Sequence, residues 1–339
     1  MKDQTIKPKK GLTLKRIDGE VIEPSDNKPH KKHKKITKDE LVLILMASLG
    51  VIFLIVFAYA PLYGLILAFK QDLEYIDILK MILHGSWAGK NGLDNFKTFL
   101  LDPDFKNVMF NTLGLNILQL LINFPAPIIF AILLSEVISN RFKKFVQTIT
   151  FFPHFISWVI FGGIFISMLN YDTGIINNLL YKWGLINDPV DILGGEQYFW
   201  PLIIITSLLK GLGWGSIIYV AAISGITKEL YEAAIMDGAN RWHKIRYITL
   251  PSIAPTITLF FILSISGILN NGIDHIWVFQ NSNNIARSEV LDTFIYKYGI
   301  PQLRYGFATA VGLFKSVVSL VLLVLGNRVC KWITGEGIY

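Results

Sequence analysis

The stretch Glu232-Ala-Ala-Ile-Met-Asp-Gly-Ala-Asn-Arg-Trp-His-Lys-Ile-Arg-Tyr-Ile-Thr-Leu-Pro251 is a polar interruption between long apolar runs, and its reading decides the rest of the chain. It reads as two short helices with a break. Leu230 to Met236 are mostly strong helix formers, and Gly238 suits the left-handed turn that closes a helix. Asn240 is a good N-cap for a second helix. Pro251 starts the next element, because proline can begin a helix but is poorly placed inside one. Arg241, Lys244 and Arg246 make the surface basic, while Ile235, Ile245 and Ile248 provide small apolar anchors. A helix-turn-helix of this kind at a membrane face is shaped to fit a partner's groove.

The composition places that stretch in a membrane protein. Of 339 residues, 52% are hydrophobic and 17% charged, against about 25% charged in soluble domains. Long uncharged stretches must therefore exist, and a bilayer is their natural solvent. The formal charge of +7 is concentrated, since about a dozen Lys and Arg fall in the first forty residues. Residues 1–39, ending in His30-Lys-Lys-His-Lys-Lys, hold too little apolar surface to offset the entropy of ordering and read as a flexible basic tail. Next to a span, such a run suits the cytoplasmic side and contact with anionic membrane lipid. No nucleic-acid-binding domain accompanies it, so no nucleic acid is expected as partner. One cysteine, Cys330, excludes an internal disulfide framework. Met1 is not followed by an apolar signal region, so no cleaved secretory signal is expected.

Apolar runs long enough to cross a bilayer, about 20 residues each, occur at Leu41–Tyr59, Thr112–Leu134, Val146–Leu169, Phe199–Ile223, Ile253–Ile273 and Phe307–Leu325. Pro61 is expected to break or bend the exit of the first, and Pro125 and Pro127 interrupt the second. Arg141, Lys143 and Lys144 mark a cytoplasmic turn, and Arg328 and Lys331 follow the last span. The charge bias predicts an all-α integral membrane protein of about six spans, with both termini cytoplasmic. That topology independently puts Glu232 inside.

Glu232, Ala233, Ala234, Gly238, Ile248, Leu250 and Pro251 resemble the cytoplasmic EAA loop of ABC importer permeases: Glu-Ala-Ala, three residues, Gly, nine residues, Ile-x-Leu-Pro. Further stretches narrow the resemblance to permeases of carbohydrate importers, relatives of the maltose transporter that handle complex oligosaccharides. These are Gly92-Leu-Asp-Asn-Phe96, Asn111-Thr112, Phe152-Pro-His-Phe-Ile156, Leu291-Asp-Thr-Phe-Ile-Tyr296, Ala308-Thr-Ala310, and the endings Leu325-Gly-Asn-Arg and Gly335-Glu-Gly-Ile-Tyr339. The resemblance covers most of Leu41 to Tyr339. It implies a permease domain over 40–339, with a coupling loop at 224–251 that includes Asp237. It also implies a second homologous permease, two ABC ATPase subunits and an extracellular solute-binding protein as partners. In that family Glu232 would make polar contacts in a cleft of the ATPase, Ala233 and Ala234 would allow close approach, and Gly238 the sharp turn.

No catalytic motif is evident. Gly85-Ser-Trp-Ala-Gly-Lys-Asn91 is the nearest approach to a phosphate-binding loop, but it is one residue short, has Asn in place of the hydroxyl and lies on the external side. ATP and magnesium are therefore expected on partner subunits, with no cofactor or metal on this chain. A sugar path needs hydrogen-bonding groups and aromatic faces among apolar helices. Asn271, Asp274 and His275 could bind hydroxyls and Trp277 could stack on a pyranose ring, or these residues simply end a span at the interface. Asn116, Gln119 and Asn123 share one stripe of the second span and serve either as path or as glue between helices. Lys210 in the fourth span belongs to the path or to a structural ion pair. A non-sugar cargo and an ion-coupled secondary sugar transporter stay open as alternatives, although the latter would leave the Glu232 loop without a purpose.

Overall fold

The computed structural model describes residues 37–335, so most of the basic tail with its His30–Lys35 run, and the ending after Gly335, lie outside the described residues. The chain divides into two compact units, Met1–Pro61 and Leu62–Tyr339. In the first, helix α1 (Lys38–Leu54) opens on a capping box between Thr37 and Glu40. It is apolar on all faces, the composition of a helix surrounded by hydrocarbon.

The second unit holds short helices α2 (Ile78–His84) and α3 (Asp94–Leu100), and then α4 (Phe105–Asn123) and α5 (Pro125–Ser135). These are followed by α6 (Asn140–Phe155), α7 (Trp158–Leu169), α8 (Ile175–Lys182) and the long α9 (Glu196–Ser224). After α9 come α10 (Lys228–Met236), α11 (Arg241–Lys244) and α12 (Leu250–Ser266). Short helices α13 (Ile273–Phe279), α14 (Ile285–Ser288) and α15 (Leu291–Gly299) lead to the final helix α16 (Tyr305–Thr334). Among the described residues five helical runs are long and apolar enough to cross a membrane: Lys38–Phe69, Phe105–Ser135, Glu196–Ser224, Arg241–Ser266 and Tyr305–Trp332. The pair α6 and α7, bent by 101° at its break, makes up to six. The protein is a helical membrane protein of the expected span number.

Three span readings need correction. The third run is not straight, because Pro153 removes an amide from the last turn of α6 and Ile156 is extended, with φ −79° and ψ 138°. The fifth span ends at Ser266 and not near Ile273, since Gly267 and the left-handed Gly272 (φ +71°) separate it from α13. Pro251 stands in the first turn of α12, but the helical run is continuous from Arg241 to Ser266, so the second helix of the loop leads into the span without a break. Pro61 likewise lies within the helical run Lys38–Phe69. Both prolines are accommodated in the same way. A π-helical turn, Ile55–Tyr59 or Ile245–Thr249, ends two residues before each proline. The amides of Ala60 and Leu250 bond back to Ile55 and Ile245 respectively, so the ladder is already shifted where the proline N–H is missing.

Joints between residues distant in sequence hold the helical unit at the end away from the Glu232 loop. Asp72 accepts the amides of Gly306 (2.6 Å) and Phe307 (2.9 Å), capping α16 from a loop more than two hundred residues earlier in the chain. Arg304 lies 4.0 Å from the same carboxylate. Burial raises the Asp72 carboxyl above its ordinary range, while the Phe307 and Gly306 amides and Arg304 pull the other way. Asn111 donates to the carbonyls of Ala286 (2.9 Å) and Glu289 (3.0 Å), and Thr112 accepts the amide of Leu291 (2.9 Å). Behind these joints an aromatic core forms around Phe99, Phe294 and Phe307. Asp72→Ala is expected to lower stability by about 1–2 kcal/mol, the range of a lost N-cap, read as an earlier thermal transition of the purified chain. An unchanged transition would rule out the cap.

Candidate functional site

The Glu232 loop is built as a rigid turn. At the end of α10 the amide of Gly238 bonds to the carbonyl of Ile235 (3.0 Å) and that of Ala239 to Ala234 (2.8 Å), with Gly238 at φ +78°. This is the Schellman pattern, in which a left-handed residue satisfies the last carbonyls of a helix. No side chain crowds Gly238, so the constraint on this position is its backbone conformation. Asn240 then caps the next helix by accepting the amide of His243 (2.9 Å). The two helices are tied by Tyr231, whose hydroxyl meets the buried Thr249 hydroxyl at 3.0 Å. Glu232, Ala233, Asp237 and Gly238 are exposed, and so are Ile235 and Met236, the latter at 87%.

Beneath the loop, Leu250 packs with Ile226 and Ile245 against a core of Ile128, Ile132, Tyr219 and Ile253. Ile248 is half-buried and Pro251 exposed. Arg241 approaches Glu136 at 3.9 Å, but this pair is too exposed to add much. The loop is therefore continuous in packing with α5, α9 and α12 while its apolar tip is bare.

Two features lie deeper. A cavity of about 430 Å³ opens between α4, α9 and α12. Asn116, Gln119 and Asn123 line it together with Trp214, Tyr219 and Ser264. Asn116 donates to the Thr112 carbonyl (2.8 Å), and Asn123 to Ile204 (3.4 Å), leaving the buried Asn123 Oδ1 without a partner among the described residues. The second feature is the break between α6 and α7. The Lys210 ammonium donates to the carbonyls of Pro153 (2.9 Å), His154 (3.0 Å) and Ile156 at the break; Pro153 also accepts the Ile156 amide (3.3 Å). It also lies over the rings of Trp158 (5.1 Å) and Phe161 (5.7 Å). Gly213 lets α9 come this close, because a Cβ there would stand 2.3 Å from the Thr150 carbonyl oxygen.

The comparisons with known proteins follow the same architecture. The family model described as "binding-protein-dependent transport system inner membrane component" matches residues 111–334, which include the loop, the cavity and the break. The chain belongs to this family. Among its relatives are protein LplB of Bacillus subtilis (strain 168), 39% identical over 90% of this chain and 92% of that one. Another, from the same organism, is the polygalacturonan/rhamnogalacturonan transport system permease protein YteP, 38% identical over 88% of this chain and 90% of that one. A solved chain of a bacterial ABC transporter involved in the import of the acidic polysaccharide alginate is 37% identical, with a TM-score of 0.78, over 88% of this chain and 97% of its own. A second structure of a bacterial alginate transporter, in complex with an alginate pentasaccharide-bound periplasmic protein, aligns at 36% identity and TM-score 0.78 over 89% of this chain and 98% of its own. The protein is an ABC transporter permease.

Within this permease the α13 cluster does not form one patch. His275 turns inward, stacks on Trp158 at 3.7 Å and meets Thr206 Oγ1 at 2.9 Å. The Thr206 hydroxyl also lies within hydrogen-bond reach of the Leu202 carbonyl (2.7 Å). Asp274 and Trp277 share an exposed face, where Trp277 meets Tyr296 edge-on at 4.6 Å. The Asn271 amide is hidden without a partner at either end among the described residues, while its backbone N–H donates to Asp292 (2.8 Å).

None of these four lines the cavity of Asn116, and Lys210 serves backbone carbonyls and no carboxylate. Sequence reasoning does not single out the ion pair of Lys315, inside the last span, with Asp292. The signal was present, because a lysine in an apolar span needs a partner. Lys210→Met should leave the His154 and Ile156 carbonyls unpaired and cost about 2–3 kcal/mol. It is expected to melt earlier in detergent, with Lys210→Arg retaining part of the loss; equal melting of Lys210→Met and wild type would refute the clamp.

Proposed function

We propose that this permease carries an oligosaccharide, of the acidic-polysaccharide class named for its relatives, inward as one of two homologous permease subunits. ATP and magnesium would bind on two ABC ATPase partners, and an extracellular binding protein would deliver the sugar. The termini and the Glu232 loop would face the cytoplasm. The observation that carries the cargo reading is the likeness, at 37% identity over 88% of the chain, to a chain of an alginate importer. The cavity supports it, because carboxamides of Asn116, Gln119 and Asn123 beside the Trp214 and Tyr219 rings suit hydroxyls and ring faces of a sugar.

The Glu232 loop is the part we assign to energy coupling. An ATPase groove would cover the bare Ile235 and Met236, and Glu232 would anchor the contact with a polar bond. The Schellman turn and the Tyr231–Thr249 bond keep the two helices at a constant angle, so displacement of the tip is passed to α9 and α12 as rigid-body movement.

Purification in mild detergent, followed by mass spectrometry, should recover an ABC ATPase and a second multispanning protein with this chain; recovery of the chain alone after crosslinking would sink the assembly. In proteoliposomes of the assembled transporter, Glu232→Ala is expected to lower uptake at least tenfold while ATP hydrolysis continues, and coupled transport at wild-type rate would remove the loop from the mechanism. Gln119→Leu with Asn123→Leu should lower sugar uptake severalfold with the ATPase still assembled, and unchanged uptake would exclude the cavity from the path.

A further inference from the structure

A second cavity, unlike the first, is almost wholly apolar. It measures about 710 Å³ and runs between α4 and α9, walled by Leu118, Ile122, Pro201, Ile204, Ile205 and Leu208. At 100° per residue, Leu118 and Ile122 lie about 200° and 240° around α4 from Asn116, on a face about a third of a turn from the centre of the carboxamide stripe. The groove thus opens on a different face of α4 from the polar cavity. Its α9 wall, from Gln197 to Leu208, spans about 16 Å at 1.5 Å per residue, close to the ~15 Å of one hydrocarbon leaflet.

The end remote from the Glu232 loop is polar and held in place. Arg287 stands there, its guanidinium 5.4 Å from the Phe110 ring and 5.6 Å from the Trp200 ring. Trp200 Nε1 donates to the Arg287 carbonyl (2.9 Å), and Asn107 and Asn111 each donate to the neighbouring Ala286 carbonyl (2.9 Å). The turn is fixed from both helices, yet the guanidinium is exposed and forms no ion pair among the described residues. Glu196 and Gln197 complete the rim.

We infer that this groove is a binding site for one membrane glycerophospholipid, with an acyl chain along α4 and α9 and its phosphate on Arg287. Two arguments select this occupant. The walls belong to membrane-spanning helices, so hydrocarbon is what surrounds them, and they are one leaflet long. The single cation at the mouth has its five N–H donors matched to phosphate oxygens, while Glu196 and Gln197 can take up headgroup hydroxyls or an amine. The inference needs only the membrane-spanning fold; the orientation assigned under Proposed function decides that the leaflet is the outer one.

The test is native mass spectrometry of the purified, delipidated transporter complex, titrated with dioleoyl phosphatidylglycerol or with dioleoylglycerol, which has the same chains and no phosphate. Wild type should prefer the phospholipid, and Arg287→Gln should cut that preference about fivefold, matching the ~1 kcal/mol of one basic side chain at a lipid surface. Arg287→Lys should keep part of it. Ile205→Trp, which fills the groove, should weaken both lipids alike, and millimolar inorganic phosphate should displace neither. Equal binding of the two lipids by wild type, or an unaltered preference in Arg287→Gln, overturns the site. So does disulfide trapping of Ile205→Cys to the second permease, because the groove would then be a subunit interface. Uptake is not read, so failure here leaves the cargo assignment standing.

Discussion

Much of this structure depends on one ammonium group. The third span breaks where Pro153 and the extended Ile156 interrupt it, and the carbonyls released there lie in a region where unpaired backbone is expensive. Lys210 answers them from the middle of the fourth span. The arrangement solves two problems at once, since the lysine itself could not stay in an apolar helix without acceptors. It also makes the break a fixed geometry and not a hinge. Trp158, next to the break, then becomes a platform for His275, which in turn reaches Thr206, one helical turn from Lys210 on α9. Two spans and the short α13 are thereby set relative to one another by polar contacts within an otherwise apolar layer.

The loop and the spans are joined by a different principle. At the Glu232 end the joint is apolar packing of Ile226, Ile245 and Leu250 on α5 and α9, capped by one hydroxyl pair. At the opposite end it is made of charged and amide groups on helix termini, with Asp72 on α16 and Asn111 on the chain before α15. Such groups act on backbone amides and carbonyls at fixed angles, so they specify registry more sharply than apolar contact does.

This division explains what the family-like motifs are for. Asn111-Thr112 holds the 286–291 segment to α4, and Asn95 of the Gly92 motif donates to the Ala68 and Lys70 carbonyls. Phe152-Pro-His-Phe-Ile156 is the break itself, and Asp292 pairs with Lys315 while accepting the Asn271 amide. Most are joints of the architecture. The residues that face the polar cavity are mainly outside them.

The sequence by itself determined the class of the fold, because apolar runs near twenty residues and a polar loop of defined spacing depend only on local composition. It also determined the turn of the loop, since Gly238 and Asn240 act through their own backbones. The tertiary structure alone decided that the loop's second helix runs on into α12 and that the third span bends, because a π turn can accommodate Pro251 and a distant lysine can stabilise the break at Pro153. It also separated the candidate polar residues. Asn116, Gln119 and Asn123 recur at helical spacing and so share a cavity, whereas Asn271, Asp274, His275 and Trp277 are close in sequence but are turned apart by α13. Proximity along a chain does not say which face a short helix will bury; that depends on Trp158, Thr206 and Tyr296, partners from remote parts of the sequence.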